Sequence, residues 1–205
     1  MTISYELALP RPAAGFGDKM SVLGAAMGAM MRALFRRIFG RPMNAKWPVK
    51  MELVRAARHG GIGAHPSLLP RHRGPDPTAW AILEGDAETG VTVHRLEQEY
   101  DTGEILDQER LAIDPSGNAL DLAKRLDRPG LRLLRRTVAR FAAGEAVRGV
   151  PQEPSAATDA PFPTEEQCAL RFGVPTEQVI RKVRALAPAP GAWTEIAGHV
   201  VVVTR

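Results

Sequence analysis

The order of hydrophobic and polar positions predicts an amphipathic helix early in the chain, followed by mixed helices and strands. In "MSVLGAAMGAMMRALFRRIFGR", residues 20 to 41, apolar side chains recur at helical spacing. These side chains are Met27, Met30, Met31, Leu34 and Ile38. Two interpretations of this helix stay open. It either lies on a membrane surface with its arginines at the lipid phosphates, or packs on the protein with a solvated basic edge.

Two short helices are predicted between residues 50 and 85. "PVKMELVRAARHG" indicates a helix from about Lys50 to Arg58, closed on its C-terminal side by Gly60. "PTAWAILEG" indicates a helix that begins at Pro77 and stops at Gly85. The loop between them is preceded by a very short strand at most.

Alternation of apolar and polar residues then predicts two strands and a long helix. "GVTVHRLEQ" alternates as a half-buried strand does, and "ILDQERLAI" resumes the pattern after an Asp-Thr-Gly turn. "SGNALDLAKRLDRPGLRLLRRTVARFAAGE" predicts helix on both sides of Pro129 and Gly130, with Ser116 as the N-cap. The mixture of strands and helices indicates an α/β unit.

The last third of the chain changes character. Prolines and small residues in "VPQEPSAATDAPFPTEEQ" are typical of a linker. "PTEQVIRKVRAL" predicts a helix that opens at Pro175 and Thr176, and "PAPGAWTEIAGHVVVVTR" a hairpin-like β segment. The predicted organisation has four parts: an atypical N-terminal segment at 1–45, an α/β core at 46–150, a linker at 151–174 and a β-containing region at 175–205.

Composition narrows the class of protein without deciding its function. The 205 residues carry one cysteine, Cys168, which cannot form an internal disulfide and indicates a reducing compartment such as the cytoplasm. No apolar run reaches the roughly 18 residues of a membrane span. The net charge of +4 favours anionic partners, but an RNA-binding module would also need aromatic residues among its basic ones, and these are scattered.

His65 and Asp101 are the best candidates for chemistry. Pro66 and Pro70 fix the backbone around "HPSLLP" and would hold the His65 ring in one place. Asp101 follows a strand in a turn, and a carboxylate beside an imidazole raises its pKa and orients it for proton transfer. A structural histidine and an ordinary turn aspartate explain the same residues, so the alternative stays open.

Rival chemistries have weaker support in the sequence. His59, His65 and His72 are separated by six and seven residues, which is wider than paired zinc ligands usually are, so no metal site is expected. Ser67 does not lie in a GxSxG nucleophile motif. The chain also lacks a Walker loop and a GxGxxG turn after a strand, so nucleotide phosphates have no recognisable site.

Residues 60 to 113 closely resemble the signature of the folate-dependent formyltransferases. The resemblance rests on "HPSLLPRHRG", "ETGVT" and "DTGEIL", which occur in order and at the expected separation. A weaker resemblance joins "IRKVRALAPAPGAWTEIAGHVVVV" to the start of the C-terminal barrel in members that act on methionyl-tRNA. The resemblance implies a partial Rossmann-like formyltransferase domain with a short C-terminal β segment, shortened at both ends.

The resemblance also implies a reaction and a set of site residues. The family transfers a formyl group from 10-formyltetrahydrofolate to an amine, without a metal. His65 and Asp101 match the family's catalytic His and Asp, with His65 at the oxyanion or shuttling the amine proton and Asp101 polarising it. Residues expected beside substrate or folate are Gly63, Ser67, Leu68, Leu69, Pro70, Thr102 and Gly103. The basic loop Arg71, His72 and Arg73 either lies where an anionic acceptor would pass or is a solvated loop without such a role, and both interpretations stay open.

One departure from the family concerns its catalytic Asn, because Gly63 stands at that position. In this family a tRNA acceptor needs a complete barrel and a dedicated insertion in the catalytic domain, and the chain is short for both. A small amine or amino sugar is therefore expected ahead of tRNA, in the cytoplasm and without stable membrane insertion. The alternative is a catalytically inactive or truncated relative with a binding role. Gly63 and the short N-terminal part favour that alternative, whereas His65 and Asp101 favour the enzyme.

Overall fold

The computed structural model describes residues 51–204, which fold into five α-helices, one 3-10 turn and two antiparallel sheets. The predicted helix at 20–41 lies outside the described residues, as does the segment at 1–45. The helices are α1 (Met51–Ala56), α2 (Pro77–Glu84), α3 (Ala119–Ala142), α4 (Glu165–Cys168) and α5 (Thr176–Leu186), with the 3-10 turn at Pro154–Ala156. The strands are β1 (Ile62–His65), β2 (Glu88–Arg95), β3 (Ile105–Ala112), β4 (Ala192–Ile196) and β5 (His199–Val203).

The sequence prediction of a mixed α/β fold is confirmed. The main sheet has the order β1-β2-β3, and each neighbouring pair is antiparallel. Strand β2 lies at the centre, and six consecutive residues from Thr89 to His94 are buried. Both faces are covered because α3 packs on the sheet, while the loop after His65 bonds to β2 through the Leu69 N–H and the Thr92 hydroxyl at 3.1 Å. The alternating pattern predicted that β2 is buried on one face only, whereas its side chains are buried on both faces.

Helix α3 runs without interruption through Pro129, although the sequence suggested helical segments on either side of it. The helix lies against the sheet through a stripe of buried residues that includes Leu126 and Leu133. This packing holds the helix together across a proline that removes one backbone donor. The predicted N-cap at Ser116 is wrong. Asn118 caps the helix and forms a reciprocal capping box with Asp121, which satisfies two free N–H groups.

The segment predicted as a linker is tied to the core by several hydrogen bonds. The Trp80 indole N–H donates to the Pro161 carbonyl at 2.6 Å. The Ala160 N–H donates to the Arg73 carbonyl at 2.6 Å, and the Arg73 N–H donates to the Thr158 carbonyl at 2.8 Å. Residues 151–174 thus form a strap over the loop that follows His65. The four-part division of the chain stays a prediction.

The C-terminal elements occur where the sequence placed them. Helix α5 begins at Thr176, directly after Pro175. Strands β4 and β5 form the predicted hairpin, with Ala192 paired to Val203 and Ile196 to His199. A small second core joins this part of the chain through the buried residues Cys168, Leu186 and Ala192. Among the described residues, no helix combines the length and apolar character needed to cross a bilayer.

A buried carboxyl at the start of α2 makes stability depend on pH. Asp76 precedes Pro77, and burial of its carboxyl raises its pKa to about 6, although the Ala79 N–H in the first turn partly opposes this effect. An acid whose pKa is higher in the folded state than in the unfolded state binds its proton more tightly when folded. The contribution of the protonated Asp76 carboxyl to the free energy of unfolding is complete below the ordinary pKa of 3.8 and is lost as the pH rises to about 6.

We expect Asp76→Asn to remove this loss of stability at neutral pH. The amide has nearly the same size as the carboxyl but carries no charge to bury. The unfolding temperature of wild type should therefore fall relative to that of the variant between pH 4 and pH 7. Asp127→Asn, on the exposed face of α3, is the matched control and should follow wild type. Parallel curves for wild type and Asp76→Asn would contradict this prediction.

Candidate active site

His65 is the last residue of β1, and its ring is buried at the centre of the site. The residue is 6% exposed. Its Nε2–H donates to the His72 carbonyl at 2.7 Å, which leaves Nδ1 as the nitrogen that can bind a proton. Burial lowers the pKa of His65 below 6.5, although the charge of Asp101 and the bond to His72 partly oppose this effect. The imidazole is therefore neutral at pH 7.

Asp101 lies beside His65, so the structure brings together the two residues on which the sequence analysis focused. Asp101 Oδ1 is 3.5 Å from His65 Nδ1. Its other oxygen, Oδ2, accepts a hydrogen bond of 2.9 Å from the Gly74 N–H. The backbone of Asp101 is left-handed, with φ of 57°. Such a conformation is uncommon outside glycine and is often found at functional positions.

Gln152 holds the turn that carries Asp101, a role that no sequence motif indicated. Its side-chain amide donates to the carbonyls of Asp101 and Gly103, both at 2.8 Å. Its Oε1 accepts two hydrogen bonds from the Arg73 guanidinium, at 3.0 and 2.6 Å. Gln152 belongs to the predicted linker, so that segment fixes the carboxylate beside His65.

The residues from Ser67 to Pro70 build a frame next to His65. Ser67 is fully buried, and its hydroxyl donates to the Arg71 carbonyl at 2.6 Å. Leu69 is buried and Leu68 and Pro70 are half-buried. Thr92 links this frame to β2 by donating to the Ser67 carbonyl at 2.7 Å. The Ser67 hydroxyl therefore forms its hydrogen bond within the loop.

The other predicted contact residues surround the Asp101 turn and the start of β1. The Thr102 hydroxyl donates to the Glu99 carbonyl at 3.0 Å. Gly103 is buried, and a Cβ there would collide with the Arg95 carbonyl, so only glycine fits. Gly63 pairs with His94 on β2 and presents no side chain to the site.

The side chains of the basic loop after the frame are bonded to other protein groups. His72 is 2% exposed, and its Nε2–H donates to Asp86 at 2.7 Å. Arg71 donates to the other oxygen of Asp86, also at 2.7 Å. Arg73 is bonded to Gln152. All three side chains therefore have protein partners.

His94 is a site residue that sequence reasoning missed. It is 3% exposed, and its Nε2 is 3.5 Å from the same Asp101 oxygen that faces His65. The two imidazole rings are 6.4 Å apart and nearly perpendicular. The available signal was a histidine inside an otherwise apolar and threonine-rich strand.

A cavity of about 510 Å³ opens beside the end of β2. Leu96 borders this cavity and also lies against Gly63 on β1 and Gly61 just before it, so the cavity adjoins the strand that carries His65. Other residues that line it are Met51, Arg55, His59, Gln98 and Phe141. Its wall is partly apolar and carries basic groups from α1.

Two family models match the chain and together span more than half of it. Residues 49–138 match the model described as formyl transferase. Residues 164–205 match formyl transferase, C-terminal domain. This chain belongs to the formyltransferase family. The formyltransferase signature that the sequence suggested over residues 60 to 113 lies inside the first match.

Curated relatives of this formyltransferase chain include several methionyl-tRNA formyltransferases. The protein from Myxococcus xanthus is 36% identical over 154 residues, which are 75% of this chain and 49% of that protein. The protein from Acidothermus cellulolyticus is 42% identical over 145 residues, which are 71% of this chain and 44% of that protein. The chain thus spans about half the length of the curated relatives it matches.

Several solved structures share the fold. A 4-N formyltransferase from Francisella tularensis superposes with a TM-score of 0.67 at 20% identity, covering 78% of this chain and 66% of that one. HypX from Aquifex aeolicus superposes with a TM-score of 0.59 at 24% identity, covering 69% of this chain and 24% of that one. The described residues thus form part of a Rossmann-like formyltransferase domain.

The arrangement of His65 and Asp101 suits a side chain that accepts a proton. Within residues 51–204, no cluster of three or more His, Cys, Asp and Glu side chains has the geometry to hold a metal ion. A neutral imidazole is a suitable base at pH 7, and a neighbouring carboxylate stabilises it once it is protonated. His65 Nδ1 and Asp101 Oδ1 have this relation.

Asp101→Asn should lower the pKa of His65 further. The carboxylate is the main group that opposes the effect of burial on His65, so its loss leaves desolvation less opposed. We expect the imidazole resonances of His65 to titrate at lower pH in the variant, as measured by NMR. Glu99→Gln, in the same turn, is the matched control and should leave the titration unchanged. A higher or unchanged midpoint in Asp101→Asn would rule out this coupling.

Proposed function

We propose that this chain transfers a formyl group from 10-formyltetrahydrofolate to a primary amine, with His65 as the proton acceptor and Asp101 as its partner. The observation that carries the proposal is the buried contact between these two side chains inside a formyltransferase fold. A solved neighbour, HypX from Aquifex aeolicus, is described in complex with tetrahydrofolic acid. Another, from Helicobacter canadensis, is described in complex with folinic acid and an amino-sugar nucleotide.

The proposed chemistry uses the free nitrogen of His65. When bound, 10-formyltetrahydrofolate supplies the formyl group and, as it leaves, a nitrogen that needs a proton. His65 Nδ1 takes the proton that the attacking amine loses and passes it to that nitrogen, so no proton is gained or lost overall. Asp101 Oδ1, 3.5 Å away, balances the charge of His65 while it holds the proton. Burial of both side chains strengthens this interaction.

The cavity beside Leu96 is the proposed binding site for the folate ring. Its volume of about 510 Å³ lies in the range of small-molecule pockets. Leu96 and Phe141 offer apolar surface, and Gln98 offers an amide that can both donate and accept hydrogen bonds. Among the predicted contact residues, Thr102 and Gly103 lie in the turn that follows Gln98 along the chain, which supports placing the donor there.

Gly63 is the main argument for the alternative function, an inactive formyltransferase-like chain with a binding role. A family member with an Asn at this position has an amide donor that Gly63 cannot supply. Loss of one donor to a developing oxyanion typically costs about 10² to 10³ in rate. Such a loss slows an enzyme without abolishing its activity, so the proposal retains catalysis and makes the inactive chain an outcome of the test.

The acceptor is proposed from the relatives. The sequence analysis favoured a small amine or amino sugar, whereas the curated relatives at 36 to 42% identity are methionyl-tRNA formyltransferases. The match of residues 164–205 to the C-terminal domain model also favours an acceptor carried by tRNA. We therefore take methionyl-tRNA as the first acceptor to test and an amino-sugar nucleotide as the second. The proposed location is the cytoplasm, which agrees with the single free cysteine, Cys168.

We expect the purified chain to transfer labelled formyl from 10-formyltetrahydrofolate to one of these two acceptors, and His65→Gln to slow the transfer. General acid–base groups typically contribute about 10² to 10⁴ in rate, so the loss should be at least on the order of 100-fold. His199→Gln, on the exposed strand β5, is the matched control and should act as wild type.

Either of two results would contradict the proposal. Equal rates for His65→Gln and His199→Gln would remove His65 from the mechanism. No transfer to any amine by the folded wild-type chain would leave the inactive, binding function as the better account.

A further inference from the structure

Gln152 lies between the two segments that match family models, yet its half-buried side chain is bonded into the site. The first segment ends at residue 138 and the second begins at residue 164. The Gln152 amide nitrogen donates to the carbonyls of Asp101 and Gly103, both at 2.8 Å. Its oxygen accepts from Nε and Nη2 of Arg73, at 3.0 and 2.6 Å. Both N–H groups and both lone pairs of the amide are therefore used.

The groups around Gln152 admit only one orientation of its amide. Backbone carbonyls can only accept hydrogen bonds, and a guanidinium can only donate them. The nitrogen of Gln152 must therefore face the Asp101 turn while its oxygen faces Arg73. A glutamate of the same length could not donate to the carbonyls, and a methionine could form none of these bonds. The chemistry of the neighbours thus requires an amide at residue 152.

Arg73 is the middle residue of a tripeptide whose other two members hold the residues of the proposed reaction. His72 precedes it, and the His72 carbonyl accepts the His65 Nε2–H at 2.7 Å. Gly74 follows it and donates its N–H to Asp101 Oδ2 at 2.9 Å. The position of Arg73 therefore affects a hydrogen-bond partner of His65 and one of Asp101 together.

The strap holds Arg73 by its backbone as well as by its side chain. The Arg73 N–H donates to the Thr158 carbonyl at 2.8 Å, and the Ala160 N–H donates to the Arg73 carbonyl at 2.6 Å. Gly74 has a φ of 119°, and a Cβ there would lie 3.0 Å from the Ala160 carbonyl oxygen. Both the φ and this close approach favour glycine. The strap therefore fixes the tripeptide along its length.

Asp101 depends on such support because its own backbone is left-handed. Its φ of 57° is uncommon for a residue with a Cβ and persists where the surrounding structure holds it. The Gln152 amide bonds to the carbonyl of this same residue. Without that bond the turn can relax, and Asp101 Oδ1 can leave its place 3.5 Å from His65 Nδ1.

We propose that Gln152 and Arg73 are positioning residues that set Asp101 Oδ1 against His65 Nδ1. This inference rests on the proposed function, because the geometry that they control is that of the proton transfer to His65. Both act through another residue: Gln152 acts on the Asp101 backbone, and Arg73 fixes the orientation of the Gln152 amide. Arg73 then supports the site from within the protein, and the strap is part of the active site.

NMR titration of the His65 imidazole in Gln152→Met tests the positioning role without catalysis. Burial lowers the pKa of His65, and the charge of Asp101 opposes this effect. The other ionisable groups that act on His65 are His94 and His72, which the substitution does not change. Displacement of Asp101 should therefore make His65 titrate at a lower pH in the variant. An unchanged or higher midpoint in the folded variant would overturn the inference.

Gln167→Met is the matched control, since it makes the same change in the same strap. The exposed Gln167 side chain accepts the Thr164 N–H at 2.8 Å in the capping box of α4. Its loss should leave the His65 titration as in wild type.

Combination with Asp101→Asn identifies the route of the effect. Once the carboxylate is neutral, Gln152→Met should cause no further shift of the His65 midpoint, because the effect passes through Asp101. A further shift of the same size in the double variant would mean that Gln152 acts on His65 by another route, against the proposal.

Formyl-transfer kinetics test whether this geometry matters for the reaction. Gln152→Met should lower kcat on the order of 10- to 100-fold, as expected for a misplaced catalytic pair, whereas Gln167→Met should not. Gln152→Glu keeps the acceptor for Arg73 but loses both donors, so it should be as slow as Gln152→Met. A kcat near that of wild type in either variant at residue 152 would refute the positioning role.

Arg73→Met repeats both tests in a variant that leaves residue 152 intact, which also covers the case in which Gln152→Met does not fold. It should lower the His65 midpoint and kcat, and the double variant should lose little more than Gln152→Met alone. Fully multiplicative losses would contradict the coupling of the two residues. Absence of transfer by wild type would instead contradict the proposed function, and the NMR titrations would still decide whether Gln152 and Arg73 position Asp101.

Discussion

The carboxylate of Asp101 is the constraint around which the described part of the chain is arranged. It sits on a left-handed residue, accepts the Gly74 N–H and faces His65. A carboxylate in this partly buried position is stable only if its turn is held in place. The Gln152 amide holds the turn by donating hydrogen bonds to two of its backbone carbonyls. This requirement explains why the strap of residues 151–174 carries Gln152 to the Asp101 turn.

Much of the fold could be predicted because its signals are local. Pro77 at the first turn and left-handed Gly85 after the last fix the bounds of α2. The strands β2 and β3 were identified by their periodicity, and the C-terminal hairpin by its valines. The pairing of His65 with Asp101 was expected from the resemblance to a family, since residues 36 positions apart in sequence give no local sign that they meet.

The features that sequence reasoning missed depend on tertiary contacts. Ser116 and Asn118 are both good caps, and the choice of Asn118 became clear only from its reciprocal bond with Asp121. Gln152 lies in a proline-rich stretch, and its role needs the folded strap. His94 stands out as a histidine in an otherwise apolar and threonine-rich strand, but only the folded chain shows that it lies 3.5 Å from Asp101. A prediction from periodicity assigns a residue to a strand, whereas strand register decides which side chains share a site.

The central claim is that the His65, His94 and Asp101 cluster forms one working site with the cavity beside Leu96. Its most direct test is an NMR titration of the chain with a non-transferable analogue of 10-formyltetrahydrofolate, following the imidazole resonances. The account predicts saturable shifts at His65 and His94 together, with His199, on the exposed hairpin, unchanged. Saturation without a shift at either buried histidine, or no binding by the folded chain, would contradict the account.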